Sequence, residues 1–98
     1  MDVEFASRTL DRLETDPSFT ANLATALVKS YRRRMQQIRA ALDERDLYAA
    51  KGLHFEKLPG DRQHQHSIRL NDQFRLILEL VGSAQSKRIR IVAIEDSH

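Results

Sequence analysis

The sequence predicts an α+β domain in which two N-terminal helices pack on one face of a small, mostly antiparallel sheet. Three observations carry this expectation. The first half of the chain repeats apolar residues at helical spacing. The second half changes to short runs rich in β-branched and large apolar residues, separated by turn-forming residues. A brief alternating segment at the start adds one strand ahead of the helices, so the element order reads β-α-α-β-β-β-β.

Residues 2–6 alternate, with Val3 and Phe5 on one side and Asp2 and Glu4 on the other, as a half-buried strand requires. Ser7 is placed to cap a brief helix over 8–14 that buries Leu10 and Leu13. Asp16-Pro17 then offers an N-cap and a first helical position. From there Phe19, Leu23, Leu27, Tyr31, Met35, Ile38 and Leu42 recur every three or four residues, which predicts one long helix over 18–42. It should end near Leu42 or Asp43, because Asp43, Glu44 and Asp46 would meet the negative end of the helix dipole. A helical turn over 46–51, closed by Gly52, is expected next. Strands follow at 55–58, 66–70, 74–80 and 88–94, with turns at Pro59-Gly60-Asp61 and Asn71-Asp72 and a loop over 82–86. Alternation in the last strand puts Ile89, Ile91 and Ala93 on one face and Arg88, Arg90, Val92 and Ile94 on the other.

Ninety-eight residues make one domain spanning 1–98. Sixteen basic residues against fourteen acidic leave a net charge of +2, too little to indicate a partner. The distribution is more telling: residues 1–16 hold two basic and five acidic side chains, net −3, so the remainder carries +5 and the surface is polarised. The absence of cysteine excludes disulfides, thiolate metal sites and thiol chemistry. The polar, acidic start is unlike a signal peptide, and no apolar run nears the ~20 residues that span a bilayer. A soluble, cytoplasmic protein is expected.

Residues 58–80, LPGDRQHQHSIRLNDQFRLILEL, concentrate Arg62, Arg69, Arg75, His64 and His66 in what reads as sheet. That many cations on strands suggest a surface for an anion such as an RNA phosphate. Arg69 and Arg75 flank the Asn71-Asp72 turn, so a hairpin brings them together. Pairing of the last strand with 74–80 would bring Asp96 and His98 toward Arg75. Two guanidiniums, an imidazole and a carboxylate suit RNA cleavage without a metal: one group takes the 2′-hydroxyl proton, the arginines stabilise the phosphorane, and another group protonates the leaving oxygen. Plainer roles stand beside these. Arg75 could pair with Glu79 or Asp96, and Arg62 could brace its turn or meet phosphate. His64 and His66 form an H-x-H pair that, with His54, lacks a clear third metal ligand, so they read as solvated or RNA-facing. Arg32, Arg33 and Arg34 spread around the helix and read as a solvated surface.

The pattern L-x-G-D-R, then Q-x-S-I-R-L-N-D-Q-F-R, then a terminal E-D-x-H closely resembles the toxins of bacterial toxin–antitoxin modules, within them the HigB branch of the RelE/ParE superfamily, or plasmid-maintenance killer proteins. The resemblance implies a RelE-like fold and a ribosome-dependent endoribonuclease that cuts mRNA during translation, with no cofactor. Its partners would be the ribosome, mRNA and a helix-turn-helix antitoxin of the HigA type. It implies that Arg75 stabilises the transition state, that Asp96 and His98 take part in the reaction, and that Arg69 lies near the second basic site residue. Lys57 lies close to a family lysine whose direct match is Pro59. Lys57, Arg62, His66 and Ser97 complete the expected RNA-contacting set. One departure stands out. Family chains commonly carry tyrosine where this one has Ser97, and an aromatic ring stacked on a base is worth ~1–3 kcal/mol. A gyrase-inhibiting, ParE-like toxin, or a catalytically weakened member that only binds its antitoxin, is the alternative.

Overall fold

The computed structural model describes residues 1–97. Its strands are β1 (Val3–Phe5), β2 (Glu56–Lys57), β3 (Gln65–Arg69), β4 (Phe74–Val81) and β5 (Arg88–Asp96). Its helices are α1 (Arg8–Thr15), α2 (Thr25–Ala40) and α3 (Glu44–Ala49), with single 3-10 turns at Lys51–Leu53 and Gly60–Arg62. The five strands lie in the order β1-β5-β4-β3-β2. β1 runs parallel to β5 and the remaining pairings are antiparallel, so the sheet is mixed.

Ser7 caps α1 as its spacing suggested, accepting from the Leu10 amide at 3.3 Å, and Leu10 and Leu13 are buried. The long helix begins later than expected. Asp16 does not start it; the Asp16 amide donates to the Arg12 carbonyl and closes α1, while its carboxylate accepts from the Ser18 amide at 3.0 Å and hydroxyl at 2.7 Å. Ala21 and Asn22 then adopt left-handed backbone, φ 52° and 61°, which a helix cannot contain. Arg32 holds this linker: its guanidinium donates to the carbonyls of Leu13, Asp16 and Phe19, each at 3.0 Å. Phe19 and Leu23 still pack on the core, but from the linker.

α2 buries Leu27, Val28, Tyr31, Met35 and Ile38. Leu42, the last member of the expected stripe, is 89% exposed, because the helix stops at Ala40 and Ala41 takes the buried place. The acidic residues that could not extend α2 begin α3 instead. Asp43 caps it by accepting from the Arg45 amide at 2.9 Å, and Glu44 and Asp46 sit in its first turn, where the dipole favours them. The helical turn foreseen over 46–51 is thus α3 followed by the first 3-10 turn.

Ile68, Leu70, Leu76, Leu78, Ile89 and Ile91 meet the helices in one core. Between Ile77 and Leu78 of β4 the partner on β5 jumps from Ala93 to Ile91, so Val92 is the extra residue of a β-bulge. The bulge overturns the expected alternation. Ile91 faces the core, Ala93 stands opposite Ile77 on the outer face, and Ile94 turns back to pack on the core. Everything after Val92 is therefore shifted by one face relative to simple alternation. No helix among the described residues is long and apolar enough to cross a membrane.

Candidate functional site

The site grows from the β3–β4 hairpin. The Asn71 side chain accepts from the amides of Gln73 at 2.9 Å and Phe74 at 2.7 Å, which closes a tight turn. Arg69 then stands directly opposite Arg75 across the strands. Both lie on the outer face, because Ile68, Leu70 and Leu76 take the core face. Like charges directly opposed weaken a sheet. This pair is retained where an open cleft of about 250 Å³ lies against it, lined also by His54, Glu56, Ser67, Asp72 and Ser97.

Arg69 spends part of its guanidinium on an ion pair with Asp72. Arg75 spends less. Its Nη2 approaches Glu95 Oε1 only to 3.5 Å, and its buried Nε donates to no acceptor among the described residues. A charge-assisted bond would ordinarily close to ~2.7–2.9 Å. Glu95 belongs chiefly to Arg62, which grips both carboxylate oxygens at 3.1 and 2.7 Å. Those hydrogen bonds, with the charges of Arg62 and Arg75 beside it, hold the Glu95 carboxyl below the usual range. Glu95 is thus a fixed anion that orients two arginines, not a carrier of protons at neutral pH.

From Arg62 a chain of polar contacts crosses the outer face. Arg62 Nε donates to Gln65 at 3.0 Å and Gln65 Nε2 to Glu79 at 3.1 Å. Glu79 accepts from Arg90 at 3.4 Å, and Arg90 donates to Glu4 at 2.8 Å, where Arg88 also binds. The cations expected to meet an anion along this face are largely neutralised within it. Arg69 and Arg75, at one end, are the pair that faces the cleft.

Several expected site residues are placed elsewhere. His66 is neither solvated nor RNA-facing: it is buried on the helix side, stacked on Phe55 at 4.6 Å with its Nε2 3.2 Å from the Tyr48 hydroxyl. Lys57 pairs in register with His66 and so stands on the helix side of the edge strand; Glu56, its neighbour, faces the cleft. Arg62 braces its turn through Glu95. Asp96 stands opposite Phe74 and accepts from Gln73 Nε2 at 3.0 Å, because the bulge gives the outer position to Glu95. Arg75 accordingly pairs with neither Glu79 nor Asp96. Ser97 reaches the cleft, its hydroxyl donating to the Gln73 carbonyl at 2.7 Å. His98 lies outside the described residues. Among the described residues no group of three or more His, Cys, Asp or Glu could hold a metal ion.

Sequence reasoning weighed His54 only as a metal partner of His64 and His66, and passed over Glu56 and Glu95. Glu56 had a signal, since alternation around the apolar Phe55 turns it outward. Glu95 had none, because only the bulge turns it toward Arg75.

The fold and the arginine-walled cleft define a class, that of small α+β domains with a mixed five-stranded sheet. The fold is shared with the solved structure of a YoeB/ParE toxin from Agrobacterium tumefaciens, at a TM-score of 0.62 over 100% of each chain, with 18% sequence identity. At that identity the likeness speaks for the fold alone. A family model described as the RelE-like toxin of the type II toxin–antitoxin system HigB matches residues 3–89. The chain belongs to this family of HigB-like toxins, and an antitoxin is therefore its partner. No curated protein matches the sequence.

Proposed function

We propose that this toxin is a cytoplasmic, ribosome-dependent endoribonuclease that cuts mRNA without a metal ion and is neutralised by a helix-turn-helix antitoxin of the HigA type. The observation that carries the reading is the Arg69–Arg75 pair. Two opposed cations at the wall of an open cleft, one of them held by its carboxylate neighbour only at 3.5 Å, are arranged for an anion between them. A phosphodiester is such an anion, and its charge grows as the phosphorane forms, which is where preorganised guanidiniums contribute most. Arg75 stabilises that charge, Arg69 shares it, and Glu95 with Arg62 keeps Arg75 in place. Glu56, a carboxylate on the cleft with no ion-pair partner among the described residues, is suited to take the 2′-hydroxyl proton. Ser97 contacts the RNA at the rim, and Asp96 and His98, its neighbours in sequence, take part in the reaction.

The test is induction of wild type, Arg75→Ala and Ser97→Tyr in cells, with cuts in a translated mRNA mapped by primer extension. Wild type should cut in frame and only during translation. Arg75→Ala should lose about 10²–10³-fold, the usual cost of a charge-stabilising donor. Ser97→Tyr should cut more strongly. No cutting by wild type or Ser97→Tyr, with DNA supercoiling inhibited instead, favours the gyrase-directed alternative.

One observation favours a second reading. The Ser97 hydroxyl is committed to the Gln73 carbonyl, and serine offers a base no stacking surface. A weakened member that chiefly binds its antitoxin would have this rim. It would cut only as Ser97→Tyr.

A further inference from the structure

We infer that His54 is the proton donor to the leaving 5′-oxygen, a role that rests on the nuclease reading above. His54 follows the 3-10 turn Lys51–Leu53 and adopts left-handed backbone, φ 49° and ψ 51°. Non-glycine residues take that conformation uncommonly, and where they do the surrounding structure must impose it. Two anchors impose it here. On one side Phe55 is buried, stacked on His66 at 4.6 Å and set edge-on to Tyr48 at 4.7 Å. With Phe55 turned inward, its neighbours His54 and Glu56 are exposed and line the cleft. On the other side Arg34 reaches up from α2. Its Nη2 donates to the Gly52 carbonyl and its Nε to the Arg69 carbonyl, both at 3.0 Å. One guanidinium thereby ties the turn that carries His54 to the strand that carries Arg69, so the imidazole and the arginines share walls of one cleft.

The other cleft groups leave this role open. Arg69 and Arg75 cannot give up a proton near neutral pH. Asp72 is engaged by Arg69, and Glu56 as an unpaired carboxylate suits the opposite task. Imidazole is the side chain that exchanges protons near neutral pH. The step balances without a co-reactant. The 2′-hydroxyl proton passes to the Glu56 carboxylate, the 2′-oxygen bonds to phosphorus, and the bond from phosphorus to the 5′-oxygen breaks. The His54 imidazolium delivers a proton to that oxygen. The products are a 2′,3′-cyclic phosphate and a 5′-hydroxyl, and Glu56 and His54 return to their starting states by exchange with water.

The experiment uses ribosomes programmed with an mRNA whose cut site has been mapped, in two forms. One has the ordinary 5′-oxygen at the scissile bond and one has sulfur in its place, since a thiolate leaves without a proton. The chain is compared with His54→Asn, which tolerates left-handed backbone, and with His54→Gln, and thermal melts verify that each variant folds. Both should cut the oxygen mRNA about 10²–10⁴-fold more slowly, yet cut the sulfur mRNA within about tenfold of wild type. Equal slowing on both substrates, or none on either, overturns the assignment while leaving the nuclease reading intact. If wild type, with or without Ser97→Tyr, cuts neither substrate, the nuclease reading falls and the role of His54 falls with it.

Discussion

His66 lies nearly flat on Phe55, 10° from parallel, and burial lowers its pKa from the ordinary histidine value, with Lys57 adding to the effect and Glu44 opposing it. The folded protein therefore resists a proton that the unfolded chain accepts. The sign follows: His66 contributes fully to stability above the unfolded pKa of ~6.5, and that contribution is lost as pH falls toward the lower folded value. His66→Phe keeps the stacked ring and should remove this part of the pH dependence. Urea midpoints at pH 7.5 and pH 5 measure it; an equal drop in variant and wild type would refute the assignment. The same residue shows where single-residue reading stops. Within Q-H-Q-H-S its flanks are polar, so nothing local marks it as buried, and only the ring of Phe55 beneath it does. Arg32 and Arg34 are the converse, arginines of a seemingly solvated helix whose guanidiniums seek out backbone carbonyls of the linker and of the cleft walls.

The bulge at Val92 is the element-level device on which the site depends. It lets Ile91 and Ile94, three residues apart on one strand, both reach the core, and it sends Glu95 outward to Arg62 and Arg75. Deleting Val92 should close the bulge and leave plain alternation through Ile91, Ala93, Ile94 and Glu95, each on the face it already occupies. Ile94 should stay on the core and Glu95 beside Arg62 and Arg75, with a loss of at most about 1–3 kcal/mol from the missing Val92 side chain. Urea unfolding and primer extension on the deletion variant, beside Val92→Ala as a control that keeps the bulge, would check this. Lost cutting in a variant that still folds would show that the bulge itself, and not the faces it gives Ile94 and Glu95, shapes the site. α2 teaches a similar lesson from the other direction. Its periodic residues were legible, but Phe19 and Leu23 prolong the pattern without being helical, since packing on the core needs only apolar side chains at the right places. Three guanidinium bonds from Arg32 favour the linker, and no local signal could weigh them.

At the scale of the molecule, the core and the proposed site sit on opposite faces of one sheet. Leu76→Ala, in the core, should cost about 2–5 kcal/mol. Arg69→Ala removes an exposed pair with Asp72 and should change stability by less than about 1 kcal/mol while weakening cleavage. Denaturant curves on both variants, with cutting measured in parallel, would test the separation; a large stability loss for Arg69→Ala would refute it. The sequence by itself determined the α+β class, α1 and its Ser7 cap, the buried run of α2, the hairpin at Asn71-Asp72 that sets Arg69 against Arg75, and the motif that marks the family. These rest on local forces: periodicity, caps, turn chemistry and nearest-neighbour strand pairing. Tertiary structure alone decided that Glu95 takes the outer position in place of Asp96, that His66 is core, and that His54 reaches the cleft. Each depends on a bulge, a stacked ring or an arginine strap joining residues far apart in the chain, and such contacts leave no periodic trace in the sequence.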